Sequence, residues 1–366
     1  MTSVARRAAA IGLAALAPVL GSAPALAAAT RLLSPSFFPG WDSANVAHPF
    51  VVFDVGANLY RMCYAAAGRN ALNDSTWDQW VVGIATSSDT VTWRRNTTDF
   101  KAGLYARLFL DGEFVDPDEN SGIFDSMAAF GACVIKDGTA WKMWYTGWNG
   151  DRENLGGGLA RQINFRIGYA SSADGTTWTK QAGGAGAGAV LGLGSAGQAD
   201  AKGASQPVVL KEGSTYRLWY EGFNGSAWRI LYATSSDGLT WTKQGVALQP
   251  GGAGSLDERG VRNPVVITRA GHYELWYQGQ SAAVPNYHVM RATSPDGTSW
   301  TKAGQVTLTP DSPIAGSEQI HADSIIVKPD NSLLVFFAKQ ITTTTTGTYG
   351  QVSLRQFHIY SEVVNP

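Results

Sequence analysis

Charge is scarce in this chain. Of its 366 residues only 16% are Asp, Glu, Lys or Arg, and the formal net charge is −1. Such a composition offers no basic stripe of the kind that holds nucleic acid, and no nucleic-acid partner is expected. Cysteine is nearly absent, at Cys63 and Cys133 alone. That excludes a cysteine-based zinc cluster, and neither residue sits in a nucleophile pattern. Both fall in apolar, strand-like runs, where they either pair in an oxidising compartment or stay as buried thiols. Long apolar runs are missing too. The run Ala8 to Leu20 is too short to span a bilayer. It follows Arg6 and Arg7 and precedes Ala25-Leu26-Ala27, a small-x-small cleavage pattern. Residues 1–27 therefore read as a signal peptide and 28–366 as one mature domain, without a membrane span, secreted or periplasmic. The arginine pair also admits a twin-arginine export route.

Glycine and aromatics are abundant, with 42 Gly, 13 Trp and 13 Tyr. Many turns with many large side chains fit short strands packed in an all-β fold. The strands repeat. ILYATSSDGLTWTKQG begins at Ile230, and related phrases begin at Gly83, Ile167 and Val289. In every copy a Ser lies two residues before an Asp and a Trp four residues after it, as in Ser235, Asp237 and Trp241. This is a β-hairpin with a short Asp-Gly turn. Upstream of each hairpin stands an aromatic–polar alternation such as Tyr216-Arg217-Leu218-Trp219-Tyr220. Before that comes an apolar run: HPFVVF from His48, GACVIK from Gly131, QPVVLK from Gln206, NPVVIT from Asn263 and DSIIVK from Asp323. Four antiparallel strands repeated five times make a five-bladed β-propeller. The fifth blade lacks the hairpin, so its outer strands come from Tyr349 to Val363, with help from Arg31 to Phe38.

A residue repeated in every blade does what every blade needs. The hairpin Asp closes its own turn and the hairpin Trp covers space between blades. Chemistry is sought where the blades differ. The residues heading the apolar runs are His48, Gly131, Gln206, Asn263 and Asp323, polar in four blades and different in each. They are expected to line the axial channel as substrate-binding residues, the plain alternative being a polar, water-filled channel. Six residues before these heads lie Asp42, Asp125, Asp200 and Asp257. Carboxylates around one funnel suit glycoside hydrolysis, which needs an acid and a base or nucleophile across one bond. Four copies equally suit a role in holding the lead-in loop. At the end of the second strand Glu221 is the one carboxylate at its position, where partial burial would suit a general acid. Trp148 and Phe223 are candidates for stacking on sugar rings. Arg262, beside Glu258 and Arg259, and the pair His321 and Asp323 complete the candidate set. Two long stretches interrupt the repeat, the acid-rich Arg94 to Ile123 and Thr146 to Asn164. No metal site is specified, and no cofactor is required. A structural Ca2+ in the channel is compatible with its oxygen ligands.

The PVVL, YRLWY-x-G and ATSSDGLTWTK phrases, across about Pro39 to Lys302, resemble the five-bladed propeller glycosidases, the superfamily that includes glycoside hydrolase families 43, 62, 32, 68 and 130. The resemblance implies an exported, monomeric glycosidase acting on an arabinan, xylan or fructan. In family 43 a base Asp, a pKa-tuning Asp and an acid Glu come from the first three blades, at or beside the residue before the first strand's Pro. Here His48, Gly131 and Gln206 stand there, and none is acidic. Asp42 as base or nucleophile, Asp125 as pKa tuner and Glu221 as acid are the nearest axial carboxylates in the same blades. The alternative is a lectin-like propeller that binds glycans without cleaving them.

Overall fold

The computed structural model describes residues 29–35, 45–67, 80–95, 123–283, 285–311, 313–314, 316–347 and 350–365. Asp42 and the carboxylates Asp111, Glu113, Asp116, Asp118 and Glu119 lie outside them. Strand β1 (Thr30–Leu33) comes first. Blade 1 is β2 (Asn45–Asp54), β3 (Leu59–Ala67), β4 (Val81–Ser87) and β5 (Arg94–Arg95). Blade 2 starts with β6 (Ala128–Asp137) and β7 (Ala140–Trp148). A separate hairpin, β8 (Arg152–Gly156) and β9 (Leu159–Gln162), then interrupts it. Its outer strands are β10 (Arg166–Ser172) and β11 (Thr179–Gln181). Blade 3 is β12 (Gly203–Glu212), β13 (Thr215–Phe223), β14 (Trp228–Ser235) and β15 (Thr242–Leu248). Blade 4 is β16 (Gly260–Arg269), β17 (His272–Gln280), β18 (Tyr287–Ser294) and β19 (Thr301–Gln305). Blade 5 is β20 (Ile320–Val327), β21 (Leu333–Gly347) and β22 (Gly350–Val364), completed by β1.

Each blade is an antiparallel sheet in chain order, with β1 added to the outside of β22. Chain start and chain end thus share a sheet, as the missing fifth hairpin requires. The inner strands β2, β6, β12, β16 and β20 pack side by side, and β20 returns to β2. At that closure the Val51 N–H donates to Ser324 Oγ at 3.0 Å.

The repeated residues act between blades. Trp144, Trp219 and Trp276, at matching positions of the second strands, are at most 1% exposed. Trp144 Nε1 donates to the Gly238 carbonyl at 2.7 Å, and Trp219 Nε1 to the Gly297 carbonyl at 2.8 Å. Trp144 and Trp219 therefore grip the Asp-Gly turn of the following blade, whereas Trp276, followed by the blade without that turn, donates to Glu274 Oε2 at 3.4 Å. The turn is shaped for that grip. Ser235 Oγ accepts from the N–H groups of Asp237 and Gly238, and Asp237 Oδ1 from those of Leu239 and Thr240. The Thr240 and Leu239 N–H groups hold the Asp237 carboxyl down to about 2. Gly238 has φ +80°, and a Cβ there would meet Trp144 at 2.8 Å.

Cys63 and Cys133 are both free and buried, and burial pushes each thiol up to about 12. Cys133 Sγ accepts from the Val209 N–H at 3.2 Å, one more link between blades 2 and 3.

Blade 5 carries an acid-sensitive joint. His358 is 9% exposed and its Nδ1 lies 3.0 Å from Ser34 Oγ. Burial, then the charges of Arg31 and Lys339, lower its pKa from 6.5 to about 4, against the opposing charge of Asp311. The unfolded chain therefore takes up this proton at a higher pH than the folded one. Stability is full above about pH 6.5 and falls as pH drops towards 4, by about 1.4 kcal/mol per unit from this group. Urea midpoints measured across that range should show the slope, and His358→Gln should flatten it.

Candidate functional site

Four blades begin their axial turn in the same way. His48, Gly131, Gln206 and Asn263 have φ of 50°, 57°, 51° and 47°. In each of these blades the ladder between first and second strands shifts register at this point. Left-handed backbone is costly for a residue with a side chain, and more so before proline, which follows His48, Gln206 and Asn263. The bulge carries each of these residues to the channel. One cavity on the axis is lined by His48, Gly131, Gln206, Asn263 and Asp323, one residue from each blade. The channel beyond is apolar, walled by valines such as Val208, Val209, Val265 and Val266.

At the mouth Asp323 organises two histidines. Its Oδ1 lies 3.1 Å from His48 Nδ1 and 2.8 Å from His321 Nδ1, and its Oδ2 accepts from the Ala338 N–H at 3.1 Å. The two imidazoles stack with centroids 4.6 Å apart. Burial alone would raise the Asp323 pKa, but the charge and hydrogen bond of His321 and those of His48 outweigh it and hold the carboxyl low. Burial lowers the His48 pKa, with Asp323 and Glu221 pulling the other way. Gln206 Nε2 stands 3.4 Å from His48 Nε2. The mouth therefore presents the His48 imidazole backed by the Asp323 carboxylate.

Ligand atoms of His48, His321 and Asp323 all fall within 4.8 Å of one another, close enough to share one metal ion. Two nitrogens and one oxygen suit a zinc-like ion; Ca2+ prefers an all-oxygen shell.

Glu221 is fully buried. Its Oε1 accepts from the Asn263 N–H at 2.6 Å, and its Oε2 from Ser205 Oγ at 2.9 Å and Arg262 Nη2 at 3.3 Å. It thereby fixes the axial turn of the next blade. Thr146 does the same one blade earlier, its Oγ1 accepting from the Gln206 N–H at 2.8 Å.

Asp125 is not in the lining of the axial cavity. It is 4% exposed, accepts from the Tyr145 hydroxyl at 2.7 Å and pairs with Lys180 Nζ at 2.6 Å. Asp200 with Tyr220 and Lys243, and Asp257 with Tyr277 and Lys302, repeat the arrangement. The Asp row ties each lead-in loop to its own blade. The two expected stacking residues are also in the wall. Trp148, 1% exposed, spends its Nε1 on the Ile163 carbonyl at 3.0 Å, and Phe223, 3% exposed, lies under Trp228 with centroids 4.6 Å apart. Half-buried rings near the mouth are instead Trp80 and Phe130, both beside His48, and Trp228, whose ring lies 4.1 Å beneath the Arg262 guanidinium carbon. None of these three belongs to the repeat, and that irregularity was the signal available in the sequence.

Solved structures share this architecture. A glycosidase-like protein of Bacteroides thetaiotaomicron superposes with a TM-score of 0.62 at 15% identity, covering 92% of this chain and 97% of that one. A family 130 member, from a family of mannoside phosphorylases and hydrolases of β-1,2 mannosidic linkages, gives 0.60 at 16% identity over 95% and 96%. A thermostable family 43 glycoside hydrolase gives 0.54 at 16% identity over 90% and 96%. The fold is that of the five-bladed propeller glycosidases. Two uncharacterized proteins of Mycobacterium tuberculosis, from strains CDC 1551 and H37Rv, are each 25% identical over 295 residues, 77% of this chain and 85% of theirs. No protein-family model matches the chain.

Proposed function

We propose that the mouth of the channel binds a carbohydrate and cleaves one of its O-glycosidic bonds. The observation that carries this reading is the axial set itself. His48, Gln206 and Asn263 hold a costly backbone conformation in three different blades, and each brings a different polar group to one cavity. Strain of this kind persists where surrounding structure over-determines it, and it clusters at ligand sites. The shared fold with glycosidases adds support by analogy.

Asp323 brings a carboxylate to the mouth, Glu221 lies buried behind the lining, and the charge of both reaches His48. In this reading the acid and base come from Glu221, Asp323 and His48, with Asp42 of blade 1 as a further candidate. Asp125, bound like Asp200 and Asp257, belongs to the scaffold. The protein is exported under residues 1–27 and acts as a monomer. Reducing-sugar release from aryl glycosides and a polysaccharide panel tests the activity. His48→Ala and Asp323→Asn should each lower the rate by about 100-fold or more.

A second reading is a lectin-like propeller. It is favoured by the hydrogen bonds that both carboxylates already accept within the protein. Saturable glycan binding without release of reducing sugar would select it. Neither binding nor release across the panel would end both readings.

A further inference from the structure

We infer that the sugar taken at this mouth is acidic, with a carboxylate or sulfate received by Arg262 and Asn263. The inference rests on the reading of the mouth as a carbohydrate site. Two buried donors at adjacent residues carry it. Arg262 Nε and Asn263 Nδ2 are both buried without a hydrogen-bond partner among the described residues. Asn263 is 6% exposed and lines the axial cavity. A buried donor left unpaired costs free energy, so two of them at consecutive residues, one in the cavity lining, point to an external acceptor.

The nature of that acceptor follows from what surrounds the donors. A neutral hydroxyl would bring a proton that needs an acceptor of its own. The Glu221 oxygens beside these residues already accept three hydrogen bonds, Oε1 from the Asn263 N–H and Oε2 from Ser205 and Arg262. A carboxylate or sulfate brings acceptors alone. Arg262 is also loosely paired. Its contact with Glu221 is a single 3.3 Å approach, not the bidentate fork that guanidinium and carboxylate make when they satisfy each other. Its guanidinium carbon lies 4.1 Å over the Trp228 ring, a contact that restrains the group without using its N–H donors.

A second guanidinium stands on the same aromatic stack. Arg161 lies 4.7 Å over Phe223, which stacks on Trp228, which carries Arg262. Arg161 and Lys202 share one carboxylate, Glu153. Around this aromatic stack three cations, Arg161, Lys202 and Arg262, thus share two carboxylates, Glu153 and Glu221.

The test is calorimetric binding of the mature full chain to paired oligosaccharides. Uronic-acid oligomers would be compared with their methyl esters, and a sulfated galactan oligomer with its unsulfated counterpart. At least one acidic member should bind about ten-fold or more tightly than its neutral twin, and the preference should shrink as salt is raised. Arg262→Gln should abolish the preference, while Arg262→Lys, which keeps the charge but loses the fork, should restore part of it. Thermal melts of both variants establish that they are folded. Binding confined to neutral sugars, or a preference for acid that survives Arg262→Gln in folded protein, would overturn the inference and leave the carbohydrate reading standing. No binding to any member would remove both. The uronate and sulfate arms identify which acid is the ligand.

Discussion

Trp219→Ala is expected to lower the stability of the propeller by about 3–5 kcal/mol, the range for removing a fully buried large aromatic. Trp219 has no exposed surface. Its ring lies 5.3 Å from Tyr232 in its own blade, and 6.3 Å from Tyr273 and 6.5 Å from Trp300 in the next. Its Nε1 holds the Gly297 carbonyl of the following hairpin. Truncation therefore opens a cavity at a blade interface and removes a hydrogen bond that spans it. Arg217, whose guanidinium packs 5.2 Å from the same ring, loses part of its support. Urea denaturation followed by fluorescence should show the midpoint fall. Trp93→Ala should cost less. Trp93 is only half-buried, its Nε1 returns to the Thr90 carbonyl within its own turn, and its ring meets Phe336 edge-on at 6.2 Å. Equal losses at the two positions would contradict the interface role given to Trp219.

The repeat made the scaffold legible. Ser235, Asp237 and Trp241 recur because every blade needs a turn that its neighbour can grip, and recurrence is visible in a single sequence. Blade 5 was legible for the opposite reason. Its missing hairpin left the outer strands to be found at the chain's two ends, where β22 and β1 supply them. The axial residues could be named because they head each apolar run. Their left-handed backbone could not, because the proline after His48, Gln206 and Asn263 argues for extended backbone and outweighs the modest tolerance of Asn and His for positive φ. Asp125 appeared catalytic because a carboxylate near an axis looks the same whether it faces a ligand or a tyrosine and a lysine from its own blade. The partners Tyr145 and Lys180 are 20 and 55 residues away in sequence, and only the sheet brings them to it. Trp148 and Phe223 show the same limit from the other side. They end strands that point to the mouth, but the loop carbonyl at Ile163 and the ring of Trp228 enclose them.

Glu221 is where scaffold and chemistry meet, and two substitutions separate them. Glu221→Ala leaves the buried Asn263 N–H unpaired, removes the Ser205 contact and strips Arg262 of its carboxylate. Breaking a buried charge pair of this kind costs about 3–5 kcal/mol. Arg262 keeps some solvent contact, with its side chain 27% exposed, which places the expected loss towards the lower end. Glu221→Gln keeps the shape. Its amide oxygen can still accept from the Asn263 N–H, and its nitrogen can donate to Ser205, so only the contact with Arg262 turns unfavourable. A loss of about 1–3 kcal/mol follows. The rates diverge more sharply than the stabilities. If Glu221 gives a proton to the leaving sugar, Gln cannot replace it, and the rate on a natural glycan should fall by about 100- to 10,000-fold with the fold intact. If Glu221 only holds the axial turn, Glu221→Gln should retain activity within about ten-fold while Glu221→Ala loses activity together with stability. An activated aryl glycoside sharpens the distinction. Its leaving group departs without protonation, so an acid-deficient Glu221→Gln enzyme should recover most of its rate on that substrate, and one whose mouth has been distorted should not.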